Sequence, residues 1–348
     1  MFHSPILVIL VIVNLLTPSI IISHTILGET SGEETEYYAL IVACSKYNDT
    51  RNNIPPIHPI PEILLKPLYY SLLQADNWKK ENIILLLNEN ATRTRIINAL
   101  LEMSQRVDSN DIFLFSWAGH GSIIHDVDGD EKENNPGDKY DEVICPYDTT
   151  VINGTLTNVL TDDELDYYFS KIDAKGMCLI FECCFSGGLT SKFNYTTTCI
   201  DTIPSTLDVD GENRVIITST PPNHIGYICG YEFGLTNSFA KTLRNNSHDT
   251  NKDGFISAEE AFRYAKRRYH TESALFLMSL LLRKMLLKLL LKTLLKRMLN
   301  RFIDSWITFQ LNLRDILRWY LFLIRHYPIN YASIQDNYPG ELPLIKVR

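Results

Sequence analysis

The sequence predicts an α/β protein, a three-layer α/β/α sandwich around a mostly parallel central sheet, and three features predict it. Five short runs are predominantly apolar without alternation, as expected of strands covered on both faces. Segments of helical periodicity separate them, so successive strands are joined by helical crossovers. Two glycine-bearing motifs then close two of the strands at their carboxyl ends, where open α/β sheets place their ligand crevice.

The strands read in order as Tyr38 to Cys44, Asn82 to Leu87, Asp111 to Trp117, Met177 to Phe181 and Arg214 to Ser219. Between them, helices are expected at Pro61 to Ala75, Thr92 to Val107, Thr161 to Ile172 and Leu235 to Asn245. Thr161 followed three positions later by Glu164 forms a capping box. Asp162 and Asp163 fall in that helix's first turn, where a carboxylate opposes the helix dipole. Asp126 to Gly137, polar and interrupted by Gly and Pro, reads as a surface loop.

A chain of 348 residues with 45% apolar content can bury a substantial core, which excludes a disordered tail or a small disulfide knot. The net charge of −8 conceals an asymmetry. Arg263 to Arg301 carries eleven basic residues against Glu272 alone, leaving 22 basic and 40 acidic side chains elsewhere. So acidic a body argues against a nucleic-acid partner, which needs distributed Lys and Arg, and suits divalent cations or basic substrates. Within residues 273–325 the lysines at 284, 288, 292 and 296 follow one helix face, predicting a basic amphipathic insert. Residues 274–301 can pack on a partner or on the acidic body, or lie on an anionic membrane surface.

Pro5 to Ile22 is almost wholly apolar and turns polar at Ser23. Residues 1–24 therefore read as a signal peptide or a membrane anchor, and either places the body outside the cytosol, secreted or extracellular and membrane-anchored. Sequons at Asn48, Asn90, Asn153, Asn194 and Asn245 agree with export. Seven cysteines are an odd number, so in an oxidising compartment at least one thiol lacks an intramolecular partner.

The third strand ends in Ser116-Trp117-Ala118-Gly119-His120-Gly121 and the fourth in Phe181-Glu182-Cys183-Cys184-Phe185-Ser186-Gly187-Gly188. A thiol needs a base to become a strong nucleophile, and an imidazole supplies one and later acts as the acid for the leaving amine. His120 and Cys184 can fill these roles, with the N–H groups of Gly121 and Cys184 as oxyanion donors.

These motifs, His before Cys, resemble those of the caspase/metacaspase class of cysteine peptidases, with legumain-like enzymes as relatives. The resemblance extends over YALIVACSKY, CysProTyrAsp at 145 to 148 and LeuThrAspAspGluLeu at 160 to 165, and assigns residues 36–272 to a caspase-like catalytic domain. It implies Cys184 rather than Cys183 as nucleophile. It also places Glu182 in the S1 pocket, implying a preference for Arg or Lys at P1, with the legumain-like Glu-x-Cys-x-Ser-Gly form leaving Asn or Asp open. Asp162 and Asp163 match aspartates that bind calcium in some metacaspases, whereas Ser191 stands where those relatives have another acid.

An independent motif occupies residues 249–260, where the twelve-residue pattern of an EF-hand loop is met at each required place. Asp249, Asn251 and Asp253 offer side-chain oxygens, Phe255 its carbonyl, Ser257 a hydroxyl and Glu260 a bidentate carboxylate. Gly254 permits the turn, and helical patterns flank the loop from Thr236 to Asn245 and from Ala258 to Tyr269. Only one such loop is present. His125, His224 and His248 lack companions at zinc-ligand spacing, and no phosphate loop or dinucleotide fingerprint is present.

The expectation is an exported cysteine endopeptidase acting on peptide or protein substrates, with calcium as a regulator and no cofactor needed for the chemistry. The alternative is a catalytically idle, calcium-binding scaffold of the same fold, held at a membrane by residues 5–22 or 274–301. Oligomeric state and the role of residues 326–348 are open.

Overall fold

In a computed structural model of the chain, the described residues are 34–49, 54–57, 61–125, 140–189, 209, 211–220, 234–271, 279, 282–283, 286–287 and 332–347. The chain divides into two units, Met1–Glu34 and Thr35–Arg348, and the elements described all belong to the second. The leader, the Asp126 to Gly137 loop, Ser191, His224 and most of the basic insert lie outside the described residues.

The five apolar runs become strands β1 (Tyr37–Ala43), β2 (Ile83–Leu87), β3 (Ile112–Ala118), β9 (Gly176–Glu182) and β10 (Arg214–Thr218). They pair in parallel in the order β10-β9-β3-β1-β2. A sixth strand, β12 (Ser333–Asp336), adds antiparallel to β10 at the edge. It was not foreseen, because a four-residue stretch of mixed polarity carries little period-2 signal.

Alternation along β1 shows why both faces must be covered. Tyr37, Ala39, Ile41 and Ala43 enter one buried cluster, and Tyr38, Leu40, Val42 and Cys44 the other. Helices α1 (Pro61–Leu73) and α4 (Leu235–Thr242) close the first face through Leu68, Leu72, Leu235 and Phe239. Helices α2 (Arg93–Arg106) and α3 (Asp162–Phe169) close the second through Ile96, Leu100, Met103, Leu165 and Phe169. Each such side chain contributes roughly 1.5–3 kcal/mol on full burial, so neither layer is dispensable. The α3 capping box forms as expected, Thr161 Oγ1 accepting from the Glu164 amide at 3.1 Å.

Smaller strands were missed by sequence reading: β4 (Gly121–His125), β5 (Tyr140–Ile144) and β8 (Leu160–Thr161) form an antiparallel sheet, and β6 (Thr150–Ile152) with β7 (Thr155–Thr157) a hairpin. Residues 258–271 are helical (α5), and β11 (Phe255–Ser257) pairs antiparallel with β13 (Pro343–Lys346). Of the basic insert, residues 279, 282–283 and 286–287 are helical, with Leu282, Leu286 and Leu287 exposed. Among the described residues no helix is long and apolar enough to cross a membrane.

Candidate active site

Parallel register brings the two motifs together. Ala118 of β3 pairs with Glu182 of β9, and the Gly119 amide donates to the Glu182 carbonyl at 3.3 Å. His120 and Cys184 each lie two residues beyond this pair, at the carboxyl ends of adjacent central strands. The 63 residues between them include the β4–β5–β8 sheet, the hairpin, α3 and β9.

Gly121 sits where no side chain fits. A Cβ there would stand 2.9 Å from Cys183 Sγ and press closer still on the Cys184 carbonyl oxygen. The glycine therefore allows the histidine strand to pass directly over the cysteine turn. The next turn is strained: Phe185 holds φ 58°, an uncommon left-handed conformation for a bulky residue.

The vicinal cysteines have opposite environments. Cys183 is buried in the core, and burial drives its thiol well above the ordinary range. Cys184 is half-buried and outside any disulfide. Cys145, whose amide donates to the His120 carbonyl at 3.0 Å, is also buried, and its thiol is pushed up to about 12. Protonated thiols of this kind are poor nucleophiles at neutral pH.

His120 is half-buried, and desolvation lowers its pKa from the usual histidine value, although the bond to Pro55 works against this. Its Nε2 lies 2.8 Å from the Pro55 carbonyl oxygen. A carbonyl can only accept, so Nε2 carries the proton and Nδ1 is the ring nitrogen with a lone pair. Sequence reading gave no hint of Pro55, because a backbone acceptor in a loop has no residue-type signature.

The cysteine turn is fastened from β10. Ser186, fully buried, accepts through Oγ from the Ser219 and Thr220 amides, both at 3.1 Å, and its own amide donates to Thr220 Oγ1 at 3.1 Å. Thr220 and Ser219 hydroxyls in turn donate to the Cys183 carbonyl at 3.1 and 3.3 Å. Ser186 belongs to the Cys-Phe-Ser-Gly motif, so its presence was visible in the sequence while its partners were not.

Glu182 is turned into the protein in this structure. The S1 reading needs a carboxylate presented to substrate, but Glu182 is 4% exposed and faces α4. The Leu235 and Thr236 amides donate to its Oε1 and Oε2 at 2.9 and 3.0 Å. It is a helix cap contributed from a neighbouring strand, since Gly234 at the N-cap position offers no side chain. Burial raises its pKa, and the hydrogen bonds from α4 offset part of that rise.

The loop 249–260 is held by hydrogen bonds among its own residues. The Gly254 amide donates to Asp249 Oδ2 (3.2 Å), the Asp253 amide to Asn251 Oδ1 (2.9 Å), the Phe255 amide to Asp253 Oδ1 (2.9 Å) and the Glu260 amide to Ser257 Oγ (3.1 Å). Gly254 holds φ 91°. Burial alone would raise the Glu260 carboxyl, but bonds from Thr250, Ser257 and Asn251 bring it below the usual value. Asp249 Oδ1 is buried without a hydrogen-bond partner, so one hard oxygen is left over for a cation. The donor set mixes carboxylate, amide, hydroxyl and carbonyl, and among the described residues no cluster of three His, Cys, Asp or Glu forms. The entering helix differs from expectation: α4 stops at Thr242, and a short 3-10 turn, Asn246–His248, leads into the loop.

Residues 39–191 match the family model described as metacaspase, peptidase C14 domain. The chain is 30% identical over 149 residues to metacaspase-1 of Schizosaccharomyces pombe, covering 40% of this chain and 33% of that one. It is 30% identical over 135 residues to metacaspase-1 of Pyricularia oryzae, covering 36% and 32%. The matched segment thus spans about a third of the length of these relatives. A solved structure, caspase-1 of Spodoptera frugiperda, is similar over 90% of this chain and 91% of its own, at 11% identity and a TM-score of 0.47.

Proposed function

We propose, from the match of residues 39–191 to the metacaspase, peptidase C14 domain model, that the chain hydrolyses peptide bonds with Cys184 as nucleophile and His120 as general base and acid. The observation that supports the reading is the register of β3 on β9, which pairs Ala118 with Glu182 two residues before His120 and Cys184.

The chemistry follows from the groups present. Because burial lowers its pKa, His120 is neutral near pH 7 and can take the Cys184 proton on Nδ1 while Pro55 holds Nε2–H. The thiolate attacks the scissile carbonyl carbon, and the oxygen, now negative, receives hydrogen bonds from the Gly121 and Cys184 amides. The carbon–nitrogen bond breaks as His120 returns the proton to the departing amine, leaving a thioester. Water then attacks that thioester, giving its proton to His120, and the carboxylic acid leaves as the thiol is restored.

Two further parts belong to this reading. Calcium bound by Asp249, Asn251, Asp253, Phe255, Ser257 and Glu260 regulates the enzyme by stabilising its fold; the leftover Asp249 oxygen supports this. The body works outside the cytosol, for which the apolar leader and the exposure of Asn48, Asn90, Asn153 and Asn245 speak.

The test is hydrolysis of a panel of fluorogenic peptides bearing Arg, Lys, Asn or Asp at P1, with and without calcium, by the wild-type chain and Cys184→Ala. Cleavage by the wild type alone supports the reading and reports the P1 class. Equal cleavage by both overturns it.

A further inference from the structure

Tyr47 takes no part in the chemistry above, yet it touches the histidine in two ways. Its hydroxyl accepts a hydrogen bond from the His120 backbone amide at 2.8 Å and lies 3.3 Å from the Cys44 carbonyl, to which it donates. Its ring lies 5.0 Å from the imidazole, centroid to centroid, inclined by 35°. The hydroxyl thus spans the ends of β1 and β3, and the ring covers one side of the imidazole.

The loop that carries Tyr47 is held at several points. Asn88, buried at the end of β2 with φ 46°, accepts through its side-chain oxygen from the Ser45 amide (2.9 Å), the Ser45 hydroxyl (3.0 Å) and the Lys46 amide (3.2 Å). The Asn48 amide donates to the Tyr147 carbonyl at 2.8 Å. The Ile57 amide donates to the Ser45 carbonyl at 2.9 Å, so the same loop returns to place Pro55 at the imidazole Nε2. One loop therefore contacts His120 at its backbone, at its ring and at its distal nitrogen.

We propose that Tyr47 is a positioning residue for His120, fixing the peptide with its hydroxyl and the imidazole plane with its ring, so that the ring nitrogens keep their separate tasks. The proposal rests on the Cys184–His120 reading and adds to it a residue that never meets substrate. Its effect is on the orientation of a base, and misplacing a reacting group by about 1 Å can cost on the order of a hundredfold in rate.

Two variants of the full chain test it: Tyr47→Phe, which keeps the ring, and Tyr47→Leu, which removes ring and hydroxyl. Peptide hydrolysis gives kcat and KM separately, iodoacetamide alkylation of Cys184 at pH 7 reports on the base without substrate, and thermal melting monitors the fold. Tyr47→Phe, which loses the hydrogen bonds to the His120 amide and the Cys44 carbonyl, is expected to lower kcat and the alkylation rate about tenfold, with KM within about twofold and a lowered but still cooperative melt. Tyr47→Leu should lower both about a hundredfold. A Tyr47→Phe enzyme with wild-type kcat and alkylation rate overturns the proposal, as does a loss expressed wholly in KM. If wild-type Cys184 alkylates no faster than the unfolded chain's thiols, the dyad itself is wrong and the proposal falls with it.

Discussion

The catalytic edge and the 249–260 loop are built in opposite ways. At the edge, two motifs far apart in the sequence are joined by sheet register, Ala118 against Glu182, and neither works alone. The loop carries its proposed cation donors within twelve consecutive residues, and distant chain is needed only for support. That support is the C-terminal strand: β13 pairs with β11, the Val347 amide donates to the Gly254 carbonyl at 2.8 Å, and Glu341 accepts from Asn251 at 2.9 Å. The segment that also forms β12 supplies that strand. The comparison teaches that the edge should fail all at once when one partner is lost, and the loop by degrees.

The sharpest way to break the first half is at the dyad. Cys184→Ala or His120→Ala should cut peptide hydrolysis by at least about a thousandfold with the melting temperature nearly unchanged, as for residues of a single catalytic unit. A fall of only a few-fold would show that the two do not act together. The acid limb of the wild-type kcat/KM profile should lie below the usual histidine value of about 6.5, because burial favours the neutral ring and only neutral His120 can accept the proton. A limb at or above that value would contradict the desolvated site.

Next in size is Gly121→Ala, whose methyl group must displace the cysteine turn. A rate loss on the order of a hundredfold is expected, together with a lower melting temperature. Wild-type kinetics in this variant would mean that the two strands do not pass as closely as described.

Glu182→Gln separates a cap from a substrate pocket. An amide cannot accept from both Leu235 and Thr236 through two oxygens, so about 1–3 kcal/mol of stability should be lost while the P1 preference stays the same. A lost Arg or Lys preference at unchanged stability would restore the pocket reading. The pH dependence has a definite sign. With its folded pKa raised, Glu182 binds its proton more tightly when folded, so its contribution is full below about pH 4.5 and declines as pH rises through the folded pKa. The stability difference between wild type and Glu182→Gln should shrink with rising pH, and growth over that range would contradict the burial effect.

The smallest effect belongs to the loop. Calcium at ten times its Kd should stabilise the wild-type chain by about 1.4 kcal/mol, and Asp249→Ala with Glu260→Ala should abolish that gain. Calcium-independent melting of the wild type would remove the metal from the account and leave the catalytic edge untouched.

What could be read from the sequence follows the same division. Five parallel strands and four helices were legible because two-sided burial makes strands apolar throughout, and α3 wrote its own cap at Thr161 and Glu164. His120, Cys184 and the loop donors were legible as residue types in short motifs. Pro55, Tyr47 and the Ser219–Thr220 pair were not, because they act through backbone groups or across distant loops. The place of Glu182 in the motif suggested a partner in the substrate but gave no sign of its cap contacts, the amides 53 and 54 residues away. β12 and β13 were hidden by brevity and by the long insert before them.

The central claim is that one thiol among several is activated by one imidazole. An electrophilic peptide probe, applied near neutral pH to the wild-type chain and to His120→Ala and followed by mass spectrometry of the labelled peptides, addresses it directly. Rapid labelling confined to Cys184, and lost in His120→Ala, is the predicted result. Labelling of Cys183 or Cys145 in preference, or labelling of Cys184 at the same rate without the histidine, would contradict it.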